Sequence, residues 1–227
     1  MTVFQLNTDI TFPAPDLAEP NGLLAIGGDL SAPRLLEAYR RGIFPWYGEG
    51  EPLLWWSPAP RLVLFPDEFH LPKRLARTIR QQIFTITADT SFAEIIKSCA
   101  QTRKQKGEET WVTMEMQQAY SHLHELGFAH SIECRYDGKI VGGLYGVALG
   151  QVFFGESMFS RKSDSSKVAL SALVSHALKT GIKLIDCQMT TEHLLGFGAR
   201  EISREYLQKL LHRYVTTIVP QKKWRLR

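Results

Sequence analysis

Two short runs hold the side chains best placed for chemistry. In Phe153-Phe154-Gly155-Glu156-Ser157-Met158-Phe159-Ser160-Arg161 one carboxylate sits among aromatic and thioether neighbours, and in Leu184-Ile185-Asp186-Cys187-Gln188 a carboxylate and an amide stand two residues apart. Alternate side chains of an extended strand share a face, which groups Leu184, Asp186 and Gln188 against Ile185, Cys187 and Met189. A carboxylate beside an amide at a strand end can accept hydrogen bonds from an incoming amine and orient it. The same Asp186 could instead cap the loop that follows. An unpaired carboxylate in an apolar strand is costly. Glu156 is therefore either paired internally, for instance with Arg161, or turned toward a pocket that receives a cation.

Other residues suit a polyanion. A helix expected over residues 70–82 puts Lys73, Arg74, Arg77 and Arg80 on one face and Leu71, Leu75 and Ile79 on the other. Four cations on one face fit a phosphate backbone, or simply a solvated surface. The run Arg103-Lys104-Gln105-Lys106, read as a loop, adds charge. So does the tail from Lys222 to Arg227, which is expected to be disordered. Trp46 and Trp111 fall at element boundaries, where an indole can stack on an unpaired base or pack into the core.

These groups need elements to hold them. Ten of the 11 prolines fall in residues 13–72, so an irregular, aromatic-rich N-terminal part precedes a more regular body, with the change near Pro58 to Pro66. In the first part Ser31, Pro33 and Gly42 mark a helix start and stop. In the body Thr113 caps a helix that Gly127 ends. Asp137-Gly138 predicts a hairpin between strands at 131–136 and 139–149. A strand over 151–160, a helix over 166–180 closed by Gly181 and a strand over 183–189 complete the series. A meander passing through a helix into another strand is the order of an α+β acyltransferase core of the GNAT type.

Composition and missing motifs exclude other chemistries. With 27 Lys and Arg against 23 Asp and Glu the chain is mildly basic, near pI 9.0. That permits a polyanionic partner without requiring one. No secretory signal or membrane span is expected. Three widely spaced cysteines fit a reduced, cytoplasmic protein. No metal site is expected, since no H-E-x-x-H or C-x-x-C occurs, and no cofactor, since G-x-x-x-x-G-K-[ST] and G-x-G-x-x-G are absent. Gly155-Glu156-Ser157-Met158-Phe159 lacks the last glycine of a nucleophile elbow. Acyl-CoA-dependent GNAT enzymes bind the CoA pyrophosphate on a glycine-containing loop before the central helix. Asp164 occupies the first of those glycine positions here, which disfavours CoA.

Several ordered segments together resemble the leucyl/phenylalanyl-tRNA–protein transferases along nearly the whole chain. They are residues 20–30, Arg41-Gly42-Ile43-Phe44-Pro45-Trp46, Trp55-Trp56-Ser57-Pro58, Gly142-Gly143-Leu144-Tyr145-Gly146, and the two runs described first. The resemblance implies a small N-terminal α/β domain, residues 1–61, and a GNAT-like domain, residues 62–227, with a mostly antiparallel central sheet. It implies a cytoplasmic enzyme that moves Leu or Phe, with Met as a further candidate, from aminoacyl-tRNA to the N-terminal Arg or Lys of a protein. That mark sends the protein to degradation by the N-end rule. Trp46 and Trp111 would hold the terminal adenosine. Leu144, Phe153, Met158, Leu170 and Ile185 would form the pocket for the Leu or Phe side chain. Glu156 would neutralise the cationic acceptor, and Asp186 with Gln188 would manage its amine. Relatives often carry Met where this chain has Leu144. The alternative is an acyl-CoA-dependent N-acyltransferase of the same fold.

Overall fold

The computed structural model describes residues 3–105 and 112–226. Trp111 and Lys106 lie outside the described residues.

The N-terminal part is built on a four-stranded sheet, order β1-β2-β4-β3, of β1 (Phe4–Leu6), β2 (Leu23–Gly27), β3 (Phe44–Pro45) and β4 (Leu54–Trp56). Helix α1 (Ala32–Arg40) packs beside it, with buried Leu35, Ala38 and Tyr39 at helical spacing. Gly42, at φ +70°, turns the chain out of that helix in a conformation that favours glycine.

Asp137-Gly138 sets the register of the second sheet. Both residues have positive φ, 50° and 72°, as a tight hairpin between twisted strands requires. They join β7 (Ala129–Tyr136) to β8 (Lys139–Leu149), and β9 (Val152–Ser160) returns antiparallel to β8. Helix α5 (Ser165–Thr180) then crosses over to β10 (Leu184–Gln188), which runs parallel to β9. The meander, helix and strand expected from the sequence are all present. Around them β5 (Arg61–Leu64), β6 (Thr85–Ala88) and β11 (Arg200–Ile202) complete a seven-stranded sheet, order β11-β5-β10-β9-β8-β7-β6. Among the described residues only β9 and β10 pair in parallel there, so the fold is α+β with a mostly antiparallel central sheet.

Alternation along the central strands feeds two apolar layers. Phe154, Tyr145 and Val147 point into one, which continues through Tyr39, Leu35 and Trp55 of the N-terminal part. Helices α3 (Phe92–Gln105), α4 (Met114–Glu125) and α7 (Arg204–Tyr214) contribute to the same layer. Phe153, Ile185 and Leu144 point into the other, beneath α5, α2 (Lys73–Arg80) and the short α6 (Glu192–Leu195). Thr113 caps α4 as expected, its side chain accepting the Met116 N–H at 3.2 Å.

Three expectations need correction. Helix α2 begins at Lys73, because Pro72 disfavours helical geometry at Leu71; Leu71 therefore lies outside the helix and is exposed. Residues 103–105 continue α3 rather than forming a loop. The tail is not free through residue 226: Trp224 is 5% exposed and packs into the layer under α5.

Candidate active site

The parallel pairing of β9 and β10 runs only from Leu184↔Val152 to Asp186↔Phe154. Beyond it the strands part, and a cavity of about 470 Å³ opens at the gap. Leu144, Phe153, Met158, Leu170 and Ile185 form its apolar wall, with Phe44, Pro45 and Trp46 on the N-terminal side. Trp46 is exposed and meets Trp56 edge-on, with 5.5 Å between ring centroids. Trp56 donates from Nε1 to the Trp46 carbonyl at 2.7 Å.

Strand alternation alone would set Phe153 and Met158 on opposite faces, since they stand an odd number of positions apart. Both line the cavity because β9 bulges at Glu156: Tyr145 faces Ser157 and Gly146 faces Gly155, with Glu156 as the extra residue. A second bulge falls in β10 between Asp186 and Gln188, where Gln188 adopts φ +62°. Bulges re-aim side chains and recur beside functional sites. This one corrects the expectation that Asp186 and Gln188 share a face. Gln188 joins Ile185 and Cys187 at the cavity, whereas Asp186 does not line it.

The two re-aimed residues meet. Gln188 Nε2 donates to Glu156 Oε1 at 2.8 Å, and the Tyr120 hydroxyl donates to Glu156 Oε2 at 3.0 Å. Tyr120 is bonded in turn to the Tyr39 hydroxyl of α1. Arg161 is not the partner of Glu156: its guanidinium lies over Phe159 and donates to Ser98 Oγ at 3.2 Å. Burial pushes the Glu156 carboxyl up to about 7, against the hydrogen bonds that favour its charge. Burial and the Glu156 charge raise Tyr39 and Tyr120 well above the usual phenol range, so both stay protonated donors.

Asp186 is fully buried beneath this layer. Arg61 of β5 grips it with two bonds, Nε to Oδ1 and Nη2 to Oδ2, each 2.8 Å. Asp186 Oδ1 also accepts the Gln188 backbone N–H at 2.9 Å, closing the turn that points Gln188 into the cavity. A bidentate guanidinium–carboxylate pair is directional as well as strong. Arg61 further stacks over the Phe44 ring, 4.7 Å from its centroid.

Of the fourteen residues expected at the site, eight line this cavity: Trp46, Leu144, Phe153, Glu156, Met158, Leu170, Ile185 and Gln188. Asp186 lies behind it, and Trp111 lies outside the described residues. Lys73, Arg74, Arg77 and Arg80 are exposed on α2 and line none of it. Arg61, Tyr39 and Tyr120 were not expected at the site; their only sequence signal is a polar group in an apolar run, a pattern shared with many core residues. Ser157, part of the incomplete nucleophile-elbow motif, lines the cavity, and its Oγ has no hydrogen-bond partner among the described residues.

Asp164 begins α5 in a left-handed conformation, φ +68°, and pairs with Lys167 at 3.0 Å. A carboxylate thus stands at the helix start where a phosphate would need amides. Among the described residues no cluster of three or more His, Cys, Asp or Glu is arranged to hold a metal ion. No helix among them is long and apolar enough to cross a membrane.

Comparison with known proteins gives a consistent picture. The family model for leucyl/phenylalanyl-tRNA protein transferase matches residues 63–212, and that for its N-terminal domain matches residues 28–59. A leucyl/phenylalanyl-tRNA–protein transferase from Desulfotalea psychrophila is 56% identical over 226 residues, covering 100% of both chains. Another, from Syntrophobacter fumaroxidans, is 54% identical over 99% of this chain and 96% of its own length. Among solved structures, a ribosomal-protein-alanine N-acetyltransferase from Brucella melitensis biovar Abortus 2308 is 18% identical, covering 43% of this chain and 74% of its own, with TM-score 0.32.

Proposed function

The chain belongs to the leucyl/phenylalanyl-tRNA–protein transferase family, and from its cavity we propose how it handles both substrates. It is an aminoacyltransferase that moves an aminoacyl group from tRNA to a protein. In our reading the donor is Leu-tRNA or Phe-tRNA, with Met-tRNA as a further candidate, and the acceptor is a protein beginning with Arg or Lys. The product is marked for N-end-rule degradation, and the enzyme works in the cytoplasm.

The observation that carries this reading is the join of an apolar cavity to the Glu156–Gln188 pair. Leu144, Phe153, Met158, Leu170 and Ile185 offer a Leu or Phe side chain an apolar wall. A γ-branched or flat side chain enters such a slot more readily than one branched at Cβ. Trp46 stacks the terminal adenosine, with Trp111 as its partner. The exposed cations Lys73, Arg74, Arg77 and Arg80 hold the tRNA backbone by charge.

The donor ester is already activated, and an α-amine has a pKa of about 7.7–8.0, so positioning does most of the work. Gln188 commits its amide nitrogen to Glu156, which leaves its carbonyl oxygen to accept from the incoming amine. The amine nitrogen bonds to the ester carbon, the ester C–O bond breaks, and the amine proton ends on the departing ribose oxygen. Glu156, when ionised, supplies the counter-charge for the acceptor's cationic side chain. Asp186 acts through Gln188 as a positioning residue, since Arg61 occupies both of its oxygens.

Labelled Phe-tRNA and Leu-tRNA assayed with peptides beginning Arg, Lys or Ala test the reading. Transfer confined to Arg and Lys peptides is expected; transfer to the Ala peptide at the same rate would refute the acceptor assignment. The acyl-CoA alternative predicts saturable binding of CoA, and the Asp164 carboxylate at the start of α5 argues that titration will show none.

A further inference from the structure

After α7 the chain returns across the sheet and buries one large side chain. The Gln221 N–H donates to the Gly127 carbonyl at 2.7 Å, and the Trp224 N–H donates to Asp89 Oδ2 at 2.7 Å. The Trp224 indole N–H donates to Gln221 Oε1 at 2.9 Å. These bonds hold the indole flat against His130 of β7, with centroids 4.2 Å apart and planes within 3°. Its other ring neighbours belong to two of the elements that wall the cavity. His176 of α5 lies 4.4 Å from it, one turn beyond Leu173, and Phe153 of β9 lies 5.6 Å from it at 41°.

Phe153 is thus held from two sides. A side chain on Gly146 would meet the ring, its Cβ only 2.5 Å from Phe153 Cζ, so Gly146 leaves the ring its seat. Trp224 is the large side chain packed against the ring from the tail. We propose that Trp224 is a positioning residue that sets the depth of the side-chain pocket by backing Phe153, and so sets the preference between Phe and Leu donors. The inference rests on the reading that this cavity takes the donor side chain. Interiors are close-packed, so space opened behind a ring is taken up by movement of that ring. Without the indole, Phe153 retreats and the pocket deepens, which favours the longer Phe over Leu. The sheet alone does not fix this wall, because the indole that backs it comes from a segment outside the sheet.

The test uses the full chain carrying Trp224→Ala, Trp224→Phe or, as a pocket control, Leu144→Ala. The readout is kcat/KM for Phe-tRNA and for Leu-tRNA with one Arg-starting peptide, because a purely structural loss lowers both in proportion. Since one methylene of pocket space is worth about 10-fold or more, Trp224→Ala is expected to raise the Phe:Leu ratio about 5-fold. Trp224→Phe should stay within about 2-fold of the parent. If Trp224→Ala does not fold, Trp224→Leu carries the same test with an expected rise of about 3-fold. A parallel fall of both donors, an unchanged ratio, or a shift toward Leu in the folded variant overturns the proposal. If Leu144→Ala also leaves the ratio unchanged, it is the pocket reading beneath it that fails.

Discussion

Gln188 Nε2 and Glu156 Oε1 lie 2.8 Å apart across the opening between β10 and β9, and each residue reaches the other from a bulge. One bond therefore bridges this parallel strand pair of the central sheet beyond the point where its backbone pairing stops. It orients the amide and ties it to a carboxyl that burial holds above its ordinary value.

Glu156 should leave a signature in pH profiles. Its folded value of about 7 lies above the ordinary 4.5, so the fold binds an extra proton between the two. Stability due to Glu156 then falls as pH rises through that window. Affinity for an Arg-starting peptide should rise over the upper part of it, as the carboxylate forms. In Glu156→Gln both trends should flatten and the acceptor KM should rise about 10-fold or more, while the rise of kcat with amine deprotonation persists. A parent-like KM profile in the variant would remove Glu156 as the counter-charge.

Asp186 and Arg61 should behave as one unit. Removing one partner of a buried ion pair costs about 3–5 kcal/mol. Arg61→Met and Asp186→Asn should therefore each lower the urea midpoint, and the double variant should lose less than the sum of the two. Asp186→Asn should lower kcat without moving its apparent pKa, because the positioned Gln188 suffers and no base is lost. A shifted apparent pKa of kcat in Asp186→Asn would instead make Asp186 a base.

The wall facing Met158 should tune size. Leu144 pairs directly with Met158 across β8 and β9, and both line the cavity. Leu144→Phe fills that space and should cut Phe transfer about 10-fold more than Leu transfer. Competition between the two charged tRNAs measures it, and equal loss of both would show that this wall does not contact the side chain.

Helix α2 should set salt sensitivity. Its four cations are exposed, so replacing Lys73, Arg77 and Arg80 with Gln leaves the buried Leu75 in place. Binding of tRNA should weaken, and the slope of log K against log salt should flatten by about 0.7–0.9 per lost phosphate contact. An unchanged slope would mean that this helix faces away from the nucleic acid.

Docking of the tail should weaken in acid. Burial would raise the Asp89 carboxyl, but donors from His130, Trp224 and Ser131 outweigh it and hold it below the usual range. Its contribution to stability is complete above the ordinary carboxylate value and is lost as pH falls below that value through the lowered one. Asp89→Asn should flatten this part of the stability curve. Trp224 fluorescence should report the tail leaving its site at milder acidity than global unfolding.

Local patterns in the chain determined much of this protein. Asp137-Gly138, the Thr113 cap, Gly181 and the apolar spacing of α5 placed the meander, the crossover helix and the strand after it. Each is a short-range preference that neighbours in sequence express by themselves. The ordered segments shared with one family pointed to the cavity wall and to Glu156, Asp186 and Gln188. Tertiary structure alone decided how those residues are used. Strict alternation put Gln188 beside Asp186 and could not seat Phe153 and Met158 on one wall; two bulges changed both, because the register of a bulge depends on the strand opposite. Nothing local to Arg61 or Trp224 pointed to their partners, since Asp186 and Asp89 lie more than a hundred residues away. A buried guanidinium or indole takes its meaning from what surrounds it, and only the folded chain supplies those surroundings.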